Sequence, residues 1–301
     1  MILAAVQSQE LADAVGAVDG VELLVWAVGE ELPPRPDELE LLVPDYITAR
    51  RTARKLDRLP RLRAVQLQTA GYDAVLDLVP PGIDLLSARG VHDDATAEMA
   101  LGLTIASLRG IDIAVRDHGH WTQEVERPSL ADSRVAILGY GSIGRSIAER
   151  MLACRAHVTG VASSPRDDDL LGRVVTADDV EWAAQDVVVV VLPMSDETRG
   201  LVDAAFLARL HDGALIVNVG RGPVVDTDAV LAEAGRLSFA LDVTDPEPLP
   251  DDHPLWRAPN VLITPHIAGG TTAMLPRMAA LVRDQLERLR DGQPLRNLVP
   301  R

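Results

Sequence analysis

The chain alternates short, wholly apolar runs with longer segments in which apolar residues recur at helical spacing. A short apolar run between turn residues is typical of a strand that is buried on both faces. In the first third of the chain such runs are separated by polar segments and glycine-containing loops, which predicts a small α/β unit with mostly parallel strands. The predicted strands are residues 2–6, 21–28, 39–43, 63–68 and 83–88.

A helical pattern follows at residues 96–109, with apolar residues on more than one face, so we expect a helix buried on several sides. Beyond a polar stretch, strand-like runs return and alternate with predicted helices at 176–185, 203–210 and 226–234. Repeating strand–helix units predict a doubly wound parallel sheet. Its predicted strands are residues 135–138, 157–161, 186–192, 214–219, 238–243 and 261–264.

One segment leads from an apolar strand run at 135–138 through a glycine-rich turn into a helical pattern. In a strand–turn–helix unit of this kind the first glycine permits the turn, the second lets a pyrophosphate approach the backbone, and the third lets the helix pack on the strand. Glycine-rich turns also occur for packing alone, but the context favours a dinucleotide site. The predicted contacts are Gly139, Tyr140, Gly141, Ser142, Ile143 and Gly144.

Length and charge narrow the possible functions. At 301 residues the chain is long enough for two domains. Its net charge of −16 argues against non-specific nucleic-acid binding, which requires a basic surface. The chain shows neither a signal peptide nor an apolar run of membrane-spanning length, and Cys154 is its only cysteine. We therefore expect a cytoplasmic protein that binds neither nucleic acid nor membrane.

The choice of cofactor is predicted from the end of the second strand after the glycine turn. An acidic residue there, about twenty residues after the turn, would bond the adenosine ribose 2′-OH of NAD. The chain instead has Ser163, Ser164 and Arg166, which suit a 2′-phosphate. NADP(H) is therefore favoured and NAD(H) stays possible, because residues 167–169 are acidic and Arg166 could simply face solvent.

Several further segments carry a family resemblance: 186–200, 214–226, 242–249 and 260–269. Together with the glycine turn, these ordered motifs are similar to those of the D-isomer-specific 2-hydroxyacid dehydrogenases, and the resemblance extends from about residue 67 to 289. It implies two Rossmann-like domains with doubly wound parallel sheets. A nucleotide-binding domain, 98–270, would be inserted into a flavodoxin-like substrate domain made of 1–97 and 271–301.

The resemblance implies Arg221, Glu247 and His266 as catalytic residues. Reducing a 2-keto acid needs a proton donor, which imidazole can supply near neutral pH, and Glu247 would orient the His266 ring. The planar guanidinium of Arg221 would bind the substrate carboxylate. Taken singly, His266 could be a loop histidine, Glu247 a surface residue, and Arg221 an ion-pair partner of Asp226.

Other roles also come from the resemblance. Cofactor contacts are implied at Thr198, Val219 and Asp242, the last against the nicotinamide amide, although Asp242 could instead be a turn carboxylate. The substrate would meet Ala70, Gly71 and Tyr72 as well as Arg221 and His266. The family also implies a homodimer formed through the helix near 99–109 and the polar arm after it.

The predicted function is hydride transfer between NAD(P)H and a small 2-keto acid or D-2-hydroxy acid, with glyoxylate or hydroxypyruvate reduction favoured. The alternatives are NAD-dependent oxidation of a different 2-hydroxy acid and a non-enzymatic dinucleotide-sensing scaffold. Glu247 argues against formate oxidation, because formate-oxidising relatives have glutamine there. No metal site is predicted from the spacing of the remaining histidines: His92, His118, His120, His157, His211 and His253.

Overall fold

The structure of the chain, a computed structural model, describes residues 1–117, 119, 121 and 126–300. The chain forms two compact units, one made of Met1–His92 with Thr272–Arg301 and the other of Asp93–Thr271. The division falls at 92/93, not at the predicted 97/98. The reason is that the long helix of the second unit begins at Asp93. The two aspartates in its first turn stabilise this helix start, because their negative charges lie at the positive end of the helix dipole.

In chain order, the strands and helices are β1 (Ile2–Val6), α1 (Gln9–Val15), β2 (Val21–Val25), β3 (Leu41–Val43), α2 (Ala49–Ala53), β4 (Ala64–Gln66), β5 (Asp84–Leu86), α3 (Asp93–Arg109), α4 (Ile111–Arg116), β6 (Arg134–Leu138), α5 (Ser142–Ala153), β7 (His157–Val161), β8 (Arg166–Asp168), β9 (Gly172–Val174), β10 (Val187–Val190), α6 (Ala204–Leu207), β11 (Leu215–Asn218), α7 (Thr227–Glu233), β12 (Ser238–Leu241), β13 (Val261–Ile263) and α8 (Met274–Arg290).

The first unit contains a five-stranded parallel sheet in the order β2-β1-β3-β4-β5. This is the flavodoxin-like order. Alternate residues of each strand enter two hydrophobic clusters, so that Ala4 and Val6 face one layer and Leu3 and Ala5 the other. Both faces of the sheet are therefore covered, which explains the uninterrupted apolar runs in the sequence.

The C-terminal segment belongs to this first unit. Helix α8 adds Met278, Val282 and Leu286 to the cluster beside β1. The tail then pairs with the edge strand β5, where the backbone N–H of Val299 donates to the carbonyl of Leu85 at 2.8 Å.

The second unit contains a six-stranded parallel sheet in the order β13-β12-β11-β10-β6-β7, with a separate antiparallel hairpin β8-β9. The chain leaves β6 to form β7 on one side and later returns to form β10 on the other. The carboxyl ends of β6 and β10 are therefore a topological switch point, where ligands bind in open α/β sheets. The glycine turn begins there.

The helix predicted at 176–185 is wrong, because the segment forms two 3₁₀ turns at Ala177–Asp179 and Trp182–Ala184. Thr176 and Asp179 form a capping box that starts the first turn, but the backbone of Val180 is extended. Val180 and Trp182, two residues apart, then both enter the core. The burial of these alternate residues replaces the expected helical repeat.

Candidate active site and dinucleotide-binding turn

The predicted functional residues of the second unit follow the carboxyl ends of its parallel strands. The glycine turn comes after β6, Arg166 after β7, Arg221 after β11, Glu247 after β12 and His266 after β13. Because parallel strands end at the same edge of their sheet, one edge carries all these side chains.

The three glycines of the turn have different surroundings. Gly139 has φ 107°, and a Cβ there would lie 2.8 Å from the backbone of Val191. A Cβ on Gly144 would lie 2.7 Å from the carbonyl oxygen of Gly139, so this glycine allows α5 to pack on the strand. A Cβ on Gly141 would meet nothing within 4 Å, which leaves open space beside the backbone.

That open space fits a pyrophosphate. Helix α5 begins at Ser142 directly after Gly141, and the first amide groups of a helix point outward without intrahelical partners. Phosphate oxygens could approach these groups over Gly141 without meeting a side chain.

Arg166, at the start of β8, reaches back to the glycine turn. Its guanidinium donates to the carbonyl oxygen of Tyr140 and lies 5.8 Å from the centre of the Tyr140 ring. That ring is buried, because Gly160 has no side chain to displace it: a Cβ there would come within 2.7 Å of the ring. Ser163 and Ser164 are exposed in the turn before Arg166.

Two of the three acidic residues after Arg166 form hydrogen bonds or ion pairs with other residues of the second unit. Asp168 accepts hydrogen bonds from the Tyr140 hydroxyl at 3.0 Å and from the backbone N–H groups of Leu170 and Leu171. Asp169 pairs with Arg145 at 2.6 Å. Only Asp167 among the three is left on the opposite, exposed side of the strand.

The protonation states of Tyr140 and Asp168 follow from their surroundings. Burial raises the pKa of the Tyr140 hydroxyl, and the hydrogen bond to Asp168 acts in the same direction. Burial also raises the pKa of Asp168, but the N–H of Leu171 and the hydroxyl of Tyr140 outweigh it and the net direction is downward. At neutral pH a neutral phenol therefore donates to a carboxylate, which is the stronger kind of hydrogen bond.

Arg221 is half-buried in a tightly constrained loop after β11. The side-chain amide of Asn218 donates to the Arg221 carbonyl at 2.9 Å, and its oxygen accepts from the N–H of Gly220 at 3.1 Å. Gly222 lies so close to the next loop that a Cβ would be 1.9 Å from the Thr244 carbonyl. These contacts fix the backbone from which the guanidinium projects. Asp226, its alternative partner by sequence, caps α7 through the N–H groups of Asp228 and Ala229.

Glu247 and His266 are in direct contact. The Nδ1 atom of His266 faces Glu247 Oε1 within hydrogen-bond distance. Both side chains are about two-fifths exposed, so the pair is accessible from solvent. Since Nδ1 is engaged by the carboxylate, Nε2 is the ring nitrogen that can exchange a proton with a substrate.

Asp242 is fully buried, and its carboxylate holds the turn that carries His266. It accepts from the Thr264 hydroxyl at 2.6 Å and from the N–H groups of Ile267 and Ala268 at 3.1 and 3.0 Å. This arrangement has the form of the turn carboxylate considered as the alternative. Contact with a nicotinamide amide stays a prediction.

The remaining predicted cofactor residues are involved in local structure. The Thr198 hydroxyl donates to the carbonyl of Pro193 at 2.7 Å and accepts from the N–H of Ser195 at 2.8 Å, which closes the turn after β10. Val219 is buried beside β11. Their contact with a cofactor also stays a prediction.

The predicted substrate loop belongs to the first unit and follows β4. The Thr69 hydroxyl donates to the carbonyl of Gly71 at 2.6 Å, and the Thr69 carbonyl accepts from Ala88 N–H at 2.8 Å. Ala70, Gly71 and Tyr72 are each partly exposed. The loop is thus held at one end, while its tip remains accessible.

Comparison with known proteins identifies the family. Residues 101–268 match the sequence model for "D-isomer specific 2-hydroxyacid dehydrogenase, NAD binding domain". The chain belongs to the D-isomer-specific 2-hydroxyacid dehydrogenases. The predicted fold class and the predicted enzyme class, an NAD(P)-dependent D-2-hydroxyacid dehydrogenase, are therefore confirmed.

Individual relatives span most of the dehydrogenase. An "uncharacterized protein in proB 3′region" of Corynebacterium melassecola is 34% identical over 83% of this chain and 86% of its own length. A glyoxylate/hydroxypyruvate reductase B of Citrobacter koseri is 30% identical over 81% of this chain and 80% of its own. A solved D-isomer-specific 2-hydroxyacid dehydrogenase of Xanthobacter autotrophicus, in complex with NADPH and MES, covers 99% of this chain and 98% of its own with 28% identity and a TM-score of 0.86.

The described part of the dehydrogenase contains no cluster of three histidine, cysteine or acidic side chains placed to hold a metal ion. His118 and His120 lie outside the described residues. Within the same described ranges, no helix is both long enough and apolar enough to cross a membrane.

Sequence reasoning missed two features of the dehydrogenase: the link between Tyr140 and Asp168, and the three bonds from Asp242 to the His266 turn. The link between Tyr140 and Asp168 is weakly indicated in the sequence by the tyrosine between the first two glycines of the turn. The partners in each case are more than twenty positions apart, so neither could be found from local patterns.

Proposed function

We propose that this dehydrogenase is an NADPH-preferring reductase of small 2-keto acids, with glyoxylate and hydroxypyruvate as its substrates. The observation that carries the proposal is the contact between His266 and Glu247 at the sheet edge that also bears Arg221 and the glycine turn. The glyoxylate/hydroxypyruvate reductase of Citrobacter koseri supports the choice of substrate.

The cofactor would be held by the second unit. Its pyrophosphate would lie over Gly141 at the start of α5, with Arg166 beside the adenosine ribose. When bound, the reduced nicotinamide supplies the hydride for the substrate carbonyl carbon.

His266 supplies the proton that the reduced carbonyl oxygen must receive. Its Nε2 carries that proton, while Glu247 on Nδ1 fixes the ring orientation and offsets the positive charge of the imidazolium. In the oxidative direction the same nitrogen would accept the proton from the hydroxyl group.

Arg221 binds the substrate carboxylate. Its guanidinium can form two parallel hydrogen bonds to a carboxylate, and the constrained loop from Asn218 to Gly222 fixes its direction. Ala70, Gly71 and Tyr72 of the first unit stay predicted substrate contacts, and all three are partly exposed.

The preference for NADPH rests on Arg166. A ribose 2′-phosphate carries close to two negative charges at neutral pH and needs a cationic partner that is not offset by nearby carboxylates. Asp168 and Asp169 are bonded to Tyr140 and Arg145, which leaves the Arg166 charge available to a phosphate. The NADPH complex of the Xanthobacter relative agrees with this proposal.

We also propose that the protein forms a homodimer. Helix α4 presents Ile111 and Val115, one turn apart, with 49% and 70% of their surface exposed. An apolar pair on one exposed face of a short helix suits coverage by a second copy. A cytoplasmic location stays a prediction from the sequence.

The test is a panel of 2-keto acids assayed with NADPH and NADH in parallel. We expect the highest kcat/KM for glyoxylate or hydroxypyruvate with NADPH, about tenfold or more above NADH. Higher efficiency with a bulky keto acid would reject the substrate assignment. Equal or better rates with NADH would reject the cofactor assignment while leaving the reaction class in place.

A further inference from the structure

We propose that Tyr140 and Asp168 are positioning residues for Arg166 and thereby set the preference of the enzyme for a nucleotide with a 2′-phosphate. The inference rests on the proposed function and deepens it. It assigns a role in cofactor choice to two side chains that would not themselves touch the phosphate.

The first observation is the alternation of side chains along β8. Arg166 and Asp168 are two residues apart on one strand, so their side chains lie on the same face. Both reach Tyr140: Asp168 accepts from its hydroxyl at 3.0 Å, and Arg166 donates to its backbone carbonyl. Asp167 between them lies on the other, exposed face.

The second observation is that the Tyr140 side chain is buried and closely packed. It lies between Gly139 and Gly141 in the turn, its ring is 3% exposed, and Gly160 provides the space below the ring. Tyr140 therefore offers two fixed attachment points, a carbonyl for Arg166 and a hydroxyl for Asp168.

The third observation is that the hairpin needs such an attachment. A two-stranded ribbon of three-residue strands is marginally stable alone. Val174 anchors one strand in the core, while Asp168 links the other to Tyr140 and closes the hairpin turn by accepting from the N–H groups of Leu170 and Leu171. Without the carboxylate, the strand that carries Arg166 would lose one of its links to the glycine turn and keep the bond from Arg166 to the Tyr140 carbonyl.

The charged groups around Arg166 also favour the binding of a phosphate. Arg145 pairs with Asp168 at 3.3 Å and with Asp169 at 2.6 Å, so its single positive charge offsets part of the negative charge of these two carboxylates beside Arg166. The Arg166 guanidinium also lies near the face of the Tyr140 ring, within the range of a cation–π interaction. The Arg166 guanidinium is thus held at the glycine turn, where it can bind a phosphate.

The test measures binding of NADPH and NADH to the full chain by nucleotide fluorescence, for the wild type and four variants. Tyr140→Phe keeps the buried ring and removes only the hydroxyl. Asp168→Ala removes the carboxylate that faces Tyr140, and Asp167→Ala is its matched control, because it removes the same charge from the opposite face. Arg166→Ala removes the cation itself, and thermal unfolding of each variant reports its stability.

We expect Tyr140→Phe and Asp168→Ala to raise the Kd for NADPH about fivefold while the Kd for NADH stays within about twofold. Asp167→Ala should leave NADPH binding unchanged or tighten it, because only repulsion is removed. An equal change for both nucleotides would mean a purely structural role and would overturn the inference. So would a loss of NADPH binding in Asp167→Ala as large as in Asp168→Ala.

Different results of this experiment reject the cofactor assignment and the positioning role. If the wild type prefers NADPH and Arg166→Ala removes the preference, but Tyr140→Phe and Asp168→Ala retain it, the positioning role is rejected and the cofactor assignment stands. If the wild type binds NADH as tightly as NADPH, the cofactor assignment is rejected and the positioning role with it.

Discussion

His266 has a backbone conformation that non-glycine residues rarely adopt, with φ 52°. Such a conformation costs about 1 kcal/mol or more and persists where surrounding contacts determine it. The His266 N–H donates to the carbonyl of Asp242 at 2.8 Å, and the Asp242 carboxylate binds the next two N–H groups. The ring is therefore presented to Glu247 by a backbone that buried Asp242 holds in place.

Replacing His266 should slow turnover strongly while cofactor still binds. We expect kcat to fall by about 10²–10⁴, because the proton donor is lost. His266→Asn is the sharper variant beside His266→Ala, since asparagine tolerates positive φ and leaves the turn intact. Near-normal rates with 2-keto acids in either variant would remove the assigned role.

Arg221→Ala should raise KM for a keto acid and also slow turnover, with kcat/KM reduced on the order of 100-fold or more. Arg221→Lys retains the charge without the planar fork and should recover only part of the loss. Steady-state kinetics with a thermal melt distinguishes a catalytic from a structural role. A change in melting temperature alone would show that Arg221 serves as an ion-pair partner.

At the scale of elements, the glycine turn combines two requirements that substitution can separate. Gly141→Ala adds a methyl group where nothing lies within 4 Å, at φ −102° and ψ −151°, which alanine can adopt. Gly144→Ala adds the same group 2.7 Å from the Gly139 carbonyl.

We expect Gly144→Ala to lower the free energy of unfolding by about 1–3 kcal/mol, because the helix must move away from the strand. Gly141→Ala should keep the stability of the wild type and weaken dinucleotide binding, because its methyl group occupies the space for the pyrophosphate. Denaturant unfolding and nucleotide titration measure the two effects. Unchanged nucleotide affinity in Gly141→Ala would contradict the proposed place of the pyrophosphate.

The strands were predictable because their residues are buried on both faces of parallel sheets and form uninterrupted apolar runs. The structure of segment 176–185 was not predictable, because it depends on the burial of Val180 and Trp182 in the core and not on a local sequence repeat. The roles of Arg221, Glu247 and His266 came from family resemblance, while their position at one sheet edge follows from the order of the strands. The surroundings of Arg166 depend on Tyr140 and Asp168, which lie far apart in the sequence and could not be paired from it.

At the scale of the whole molecule, a buried polar contact in the first unit joins the C-terminal segment to strand β4. The Gln285 side chain donates to Gln66 Oε1 at 2.8 Å and to the Arg296 carbonyl at 2.9 Å, and both glutamines are wholly buried. Gln66 in turn donates to the carbonyls of Leu67 and Ser87. The contact links α8 and the tail to the centre of the first sheet.

Gln285→Leu should lower the free energy of unfolding by about 3 kcal/mol, because it leaves the buried oxygen of Gln66 and the backbone of Arg296 without partners. Gln293→Leu, at an exposed position of the tail, is the control and should change stability by less than about 0.5 kcal/mol. Urea unfolding measures both. Equal stability of the two variants would show that the contact does not hold the tail.

The insertion of one unit into the other also separates the order of synthesis from the order of completion. A ribosome makes residues 1–92 before residues 93–271, yet Met278, Val282 and Leu286, which belong to the core of residues 1–92, are made after both. Residues 93–271, by contrast, contain every strand of their own sheet before α8 has been translated. The later-made unit is therefore the first that can close its hydrophobic core, and residues 1–92 can complete theirs only after α8 has been made.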